Sequence, residues 1–128
     1  MSEIEIYKTA DNAIALQVSF YNDTVWLNRN QLAFLFDRDV KTIGKHINNI
    51  FDEKELDNNS TVAKFETVQM EGEREIKREI EHYNLNIIIS VGYRVKSKQG
   101  TQFHQWATKR LKDYLVQGYT INEKRSQQ

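Results

Sequence analysis

The residues with the most definite chemistry to offer lie between Leu32 and Phe51. Two short helical patterns there are separated by Asp37-Arg38-Asp39. Leu32 and Phe36 are apolar on the first, Ile43 and Ile47 on the second, and small Ala33 stands where the two would cross. This is the spacing of a helix-turn-helix, in which a tight turn holds two helices at a steep angle and the second projects outward. Its outward positions are Val40, Lys41, Thr42, Gly44, Lys45 and Asn48, which include two lysines, a hydroxyl and an amide but no acid. Lysine can donate to guanine O6 and N7, asparagine can pair with adenine, and valine can pack on a thymine methyl. Lys41, Thr42, Gly44, Lys45 and Asn48 are therefore the candidate base contacts, with Gly44 allowing the helix close to the groove. The turn has Asp37 where glycine is usual, and aspartate tolerates the left-handed conformation better than most residues.

Phosphate contacts position a protein on DNA without reading sequence. Arg29, Arg94, Lys96 and Lys98 are the candidates for that role, the last three alternating with Val95 and Ser97. Lys109, Arg110 and Lys112 fall on the polar side of a later helix and serve equally well as a solvated face. Other chemistry is thinly represented. His46, His82 and His104 are far apart, and Glu79-x-x-His82 is a single weak metal-type pair. There is no Gly-x-Ser-x-Gly elbow, no phosphate-cradling glycine loop and no His-Glu-x-x-His. Ser90 is isolated, and Phe103 and Trp106 read as core residues rather than a base-stacking platform. No catalytic residue, metal site or cofactor is expected.

The elements that must position these residues can be read from periodicity. Ile4 to Tyr7 is short and β-prone. Ile14, Leu16, Val18 and Phe20 alternate strictly, Tyr21-Asn22-Asp23 turns, and Thr24 to Leu27 returns, which predicts a hairpin with one buried face. Asn28 is an N-cap candidate with Gln31 three residues on, a capping-box pattern opening a helix from Arg29 to Phe36. Asp39 can cap a second helix from Val40 to about Asp52, whose stripe is Ile43, Ile47, Ile50 and Phe51. Residues 53–60 read as a loop. Thr61 to Met70 is β-prone, and in Arg74 to Tyr83 the spacing of Ile76 and Ile80 suits a helix or one face of a strand; the Glu71-Gly72-Glu73 turn between them favours a second hairpin, whose acidic tip phosphate would repel. Asn84 or Asn86 can cap a short helix through Val91, and Gly92 to Gly100 reads as basic and partly irregular. A last helix is expected from about Thr101 to Gln117, ended by Gly118, with a disordered tail beyond Tyr119 that marks a point of truncation from a longer protein.

Composition bounds the function. The chain has 128 residues, 39% hydrophobic and 28% charged, which suits one folded domain, expected over 1–119. There is no cysteine, hence no disulfide framework or thiolate metal site, and no apolar run long enough to span a bilayer. The N-terminus has no basic or apolar leader, so a cytoplasmic protein is expected. Net charge is zero, yet residues 82–112 carry six basic groups and no acid, while residues 52–81 carry ten acids and five bases. Such polarity either presents a basic surface to a polyanion or lets the two stretches face one another.

Two runs go beyond pattern. Arg74 to Leu85 leads into Ile88-Ile89-Ser90-Val91-Gly92-Tyr93-Arg94-Val95, and Gly100-Thr101-Gln102-Phe103-His104-Gln105-Trp106-Ala107 opens the last helix. With Leu27-Asn28-Arg29-Asn30-Gln31-Leu32-Ala33, they closely resemble the RhuM family of bacterial virulence-island proteins, up to about Tyr119. The Phe-x-x-Trp region also resembles, more weakly, the N-terminal domains of phage antirepressors. The resemblance implies a prokaryotic, mobile-element-associated protein with a DNA-binding N-terminal domain, in a family whose members are usually longer. His104 and Asn86 stand where the family more often has a basic and an acidic residue, which weakens one phosphate contact and one helix cap.

The sequence thus predicts an α+β domain of winged helix-turn-helix type, with two β-hairpins and about four helices. It predicts binding to double-stranded DNA as a regulator, with a homodimer as a plausible state and no membrane partner. The rival is a protein-interaction module that keeps the fold without binding DNA, supported by the zero net charge and the acidic hairpin.

Overall fold

The computed structural model describes the backbone over residues 3–9 and 11–126, and side chains through residue 115 apart from Gln69. The fold is α+β. Strands β1 (Glu3–Lys8), β2 (Ala15–Tyr21) and β3 (Thr24–Asn28) precede helices α1 (Arg29–Phe36), α2 (Val40–Asp52) and α3 (Asn58–Thr61). Strands β4 (Val62–Glu71) and β5 (Arg74–Asn84) follow, then helices α4 (Leu85–Arg94) and α5 (Lys98–Ser126).

The strands form one antiparallel sheet in the order β1-β2-β3-β5-β4. Both expected hairpins are present. Asn22 and Asp23 take positive φ of 51° and 60° between Tyr21 and Thr24, the type I′ geometry that matches strand twist. Gly72, at φ 64°, opens the two-residue turn closed by Glu71 and Arg74. Positive φ at the first turn position is the role in which glycine costs least.

One face of the sheet is covered by helices. Tyr7, Leu16, Val18, Phe20, Val25, Leu27 and Tyr83 line it. Against them pack Leu32, Leu35 and Phe36 of α1, Ile43, Ile47 and Ile50 of α2, Ile87, Ile88 and Val91 of α4, and Phe103 and Ala107 of α5. Each large aliphatic or aromatic side chain removed from water contributes about 1.5–3 kcal/mol before chain entropy is counted. Phe103 and Trp106 meet Tyr7 edge-on at centroid distances of 5.2 and 5.1 Å, which makes them core packing residues.

Four expectations are corrected. The stretch expected as a loop holds one helical turn, α3, closed by the Thr61 and Ser60 hydroxyls donating to the Asp57 carbonyl. Only residues 95–97 are irregular between α4 and α5, and Gly118 does not end α5, whose backbone continues to Ser126. A glycine costs a helix interior only about 1 kcal/mol, and no proline follows to stop it. The tail expected beyond Tyr119 lies within α5 as far as Ser126, and Gln127 and Gln128 lie outside the described residues.

Candidate nucleic-acid interface

The first helix of the pair starts as its sequence predicts. Asn28 Oδ1 accepts from the Gln31 amide at 2.8 Å, and Gln31 Oε1 accepts from the Asn28 amide at 2.8 Å. The Gln31 side chain also donates to the Gln17 carbonyl, fixing α1 on β2. At the other end Asp37 takes the left-handed conformation, φ 52° and ψ 54°, without a glycine. Three residues then separate α1 from α2. Asp39 has the extended backbone of an N-cap, but its carboxylate makes no capping hydrogen bond, contrary to the sequence reading.

Helix α2 buries Ile43, Gly44, Ile47 and Ile50. Opposite that stripe Lys41, Thr42, Lys45 and Asn48 are all exposed, and Val40 at their head is 39% exposed. Four of the five expected base-contacting residues therefore share one open face. Gly44 is the exception. It is buried, and a Cβ there would lie 3.2 Å from Arg29 Nη1, so its bareness makes room for the Arg29 guanidinium rather than for a groove.

Arg29, an expected phosphate contact, is held at this flank. Its Nε donates to the Tyr83 hydroxyl at 3.0 Å, and its guanidinium carbon lies 5.9 Å from the Tyr83 ring centroid. The Tyr83 hydroxyl in turn donates to Glu81 Oε2 at 3.2 Å. Burial pushes the Tyr83 phenol above its ordinary pKa, with Arg29 opposing, so it stays a donor at neutral pH.

The other basic candidates divide. Arg94 Nη2 donates to Glu53 at 2.6 Å and to Glu55 at 3.2 Å, and these acids raise its pKa further. It ties α4 to the segment that follows α2, so its guanidinium is engaged by two acids. The acids that neutralise it lie about 40 residues earlier, in the stretch of opposite charge. Lys96 and Lys98 are exposed. Lys96 sits in the left-handed region at φ 55°, and Lys98 opens α5. Lys109 and Lys112 line a shallow groove with His104, Gln105 and Thr108, while Arg110 pairs with Glu5 of β1.

Sequence reasoning missed Arg38. Its Nη1 donates to the carbonyls of Phe36 and Asp37 at 3.1 and 3.0 Å, and its Nη2 to that of Val95 at 2.9 Å. One guanidinium thus satisfies carbonyls at the ends of α1 and α4, where cations are favoured. It fastens the loop carrying Lys96 to the turn that enters α2. A cation in a turn after a helix was the only signal available.

Among the described residues no group of three His, Asp or Glu could hold an ion. Glu79 and His82 lie on opposite faces of β5, three residues apart in a strand. His82 is buried, with Nδ1 2.9 Å from the Ile80 carbonyl, and burial holds its pKa below the ordinary value. No helix among the described residues is long and apolar enough to cross a membrane.

No curated protein and no solved structure matches the chain. The family model described as virulence protein RhuM family matches residues 60–128, from α3 through β4, β5 and α4 and along α5. Covering more than half of the chain, that match agrees with the resemblance carried by the Val91-Gly92-Tyr93-Arg94 and Phe103-x-x-Trp106-Ala107 runs, and the chain belongs to the virulence protein RhuM family.

Proposed function

We propose that this chain is a double-stranded DNA-binding domain of a transcriptional regulator from a mobile element or pathogenicity island, with α2 as the helix that enters the major groove. The observation that carries the reading is the face of α2 formed by Lys41, Thr42, Lys45 and Asn48, exposed and free of acid, held outward by the buried Ile43, Ile47 and Ile50. Its side chains suit base edges, and Arg29, Lys96 and Lys98 suit phosphates beside them.

Topology supports a winged helix-turn-helix. Strand β3, helices α1 and α2, and strands β4 and β5 follow in that order, with β5 lying between β3 and β4. The β4–β5 hairpin then stands in the place of the wing. Its tip carries Glu71 and Glu73, so it is kept off the phosphates. The reading assigns the domain no catalytic step.

A titration of random duplex DNA against salt tests it. Each phosphate neutralised lowers log K by about 0.9 per decade of salt, so a handful of contacts gives a steep slope. A slope near zero, or no binding at low salt, overturns the reading. The second reading, a protein-interaction module, draws on the same hairpin, where Val68 and Met70 are 54% and 64% exposed amid acidic residues. Binding to a protein through such a patch would be insensitive to salt.

A further inference from the structure

Strand β4 ends the sheet, and among the described residues no strand pairs with its outer edge. The β4–β5 ladder runs out to Glu71 and Arg74, whereas β5 pairs with β3 only through His82, Tyr83 and Asn84. Most of the hairpin is therefore a two-stranded arm, and such a ribbon alone is at best marginally stable in water.

The turn fixes which backbone groups are open. In a two-residue hairpin the closing pair, here Glu71 and Arg74, is hydrogen-bonded, and the ladder alternates from there. Odd-numbered residues of β4 then point their N–H and C=O at β5, and even-numbered ones point theirs outward. Val62 spends its N–H on the Asn58 carbonyl, so the open edge starts at Lys64 and continues through Glu66, Val68 and Met70.

Side chains select a register for that edge. Glu66 lies directly opposite Glu79 on β5, a like-charge pair that costs stability, with Lys77 3.8 Å away as partial compensation. On the other face Phe65 is only half-buried, against Trp26 and Tyr21 at centroid distances of 5.8 Å and His82 at 4.9 Å.

We propose that β4 pairs antiparallel with β4 of a second copy of this chain about a two-fold axis through Phe65. Lys64 then faces Glu66 of the second copy, and Glu66 faces its Lys64, which brings a cation beside the Glu66–Glu79 pair. Val68, 54% exposed, faces Val62 of the second copy, and the two Phe65 rings meet in a non-hydrogen-bonded pair, where side chains come closest. Moving the axis one residue either way sets Lys64 against Lys64 or Glu66 against Glu66. One residue further leaves neither opposite a charge. The interface rests on the sheet edge and does not depend on DNA binding.

The test is sedimentation velocity of the 128-residue chain over a range of concentrations, with Lys64→Glu, Glu66→Lys and the double reversal. Both side chains are exposed, and circular dichroism checks that each variant is folded. The wild type is expected to dimerise. Each single reversal turns two attractive cross-strand pairs repulsive and should raise the dissociation constant roughly ten-fold or more, and the double reversal should restore it. A chain that stays monomeric overturns the proposal. So does a dimer that the single reversals leave unchanged, or one that the double reversal fails to restore.

Discussion

Arg29 rests on Gly44: its Nη1 occupies space 3.2 Å from where a Cβ on that glycine would be. A residue expected to face a DNA groove instead seats a cation beside the helix proposed to enter it. The neighbour that an alanine would meet is the far end of a flexible side chain, and glycine costs a helix interior about 1 kcal/mol relative to alanine. Gly44→Ala should therefore leave the fold as stable or up to about 1 kcal/mol more stable, read by urea unfolding. It should weaken duplex binding a few-fold, because Arg29 must shift from Tyr83. A variant that loses both stability and binding would contradict this account of the contact.

Gly92 differs in kind. A Cβ there would lie 3.1 Å from Phe36 Cζ of α1 and 3.4 Å from the Gly100 Cα of α5. Neither neighbour is a flexible tip. Overpacking of about 1–3 kcal/mol should outweigh the roughly 1 kcal/mol gained in helix propensity. Gly92→Ala should lower the unfolding free energy by up to about 2 kcal/mol with the denaturant slope unchanged.

Arg94 distinguishes an internal ion pair from a phosphate contact. Its side chain is 20% exposed, and its partners Glu53 and Glu55 are 62% and 44% exposed. Solvent screens pairs with such exposed acids, so they contribute little. Arg94→Met should change stability little and leave DNA affinity and its salt slope unchanged. A slope reduced by one phosphate contact would return Arg94 to the interface.

His82 makes stability depend on pH. Burial holds its folded pKa below the ordinary 6.5, so the folded state binds its proton less readily than the unfolded chain. The stability is fully present above 6.5 and falls as pH drops through that value toward the folded pKa. Urea unfolding at about pH 7.5 and about pH 5.5 should show the loss, and His82→Gln should reduce it. An unchanged pH profile in the variant would assign the loss to other groups.

How far the sequence could be read depended on the range of each interaction. The Asn28–Gln31 capping box, the glycine-opened turn at Gly72, the left-handed Asp37 and the apolar stripe of α2 were legible because each is settled within a few residues. The fates of the charged residues were not. Arg94 finds Glu53 and Glu55, Arg110 finds Glu5, and Arg38 finds Val95, each set by how distant elements pack. Gly44 shows the same limit: helical geometry places it at the edge of the outward face, and only the position of Tyr83 on β5 decides that Arg29 covers it. Beyond Gly118 the local stop signal competes with continued helix propensity, and propensity prevails.

The central claim is that α2 contacts DNA. The most direct measurement is the affinity of the chain and of Lys41→Glu/Lys45→Glu for random duplex DNA at low and moderate salt. Both side chains are exposed, so the double variant should fold as the wild type does. The account predicts salt-sensitive binding by the wild type and its loss, by at least about a hundred-fold, in the variant, since two attractions to phosphate-rich surface become repulsions. Wild-type binding that survives the double reversal would place the interface elsewhere, and absence of wild-type binding at low salt would leave α1 and α2 as scaffold.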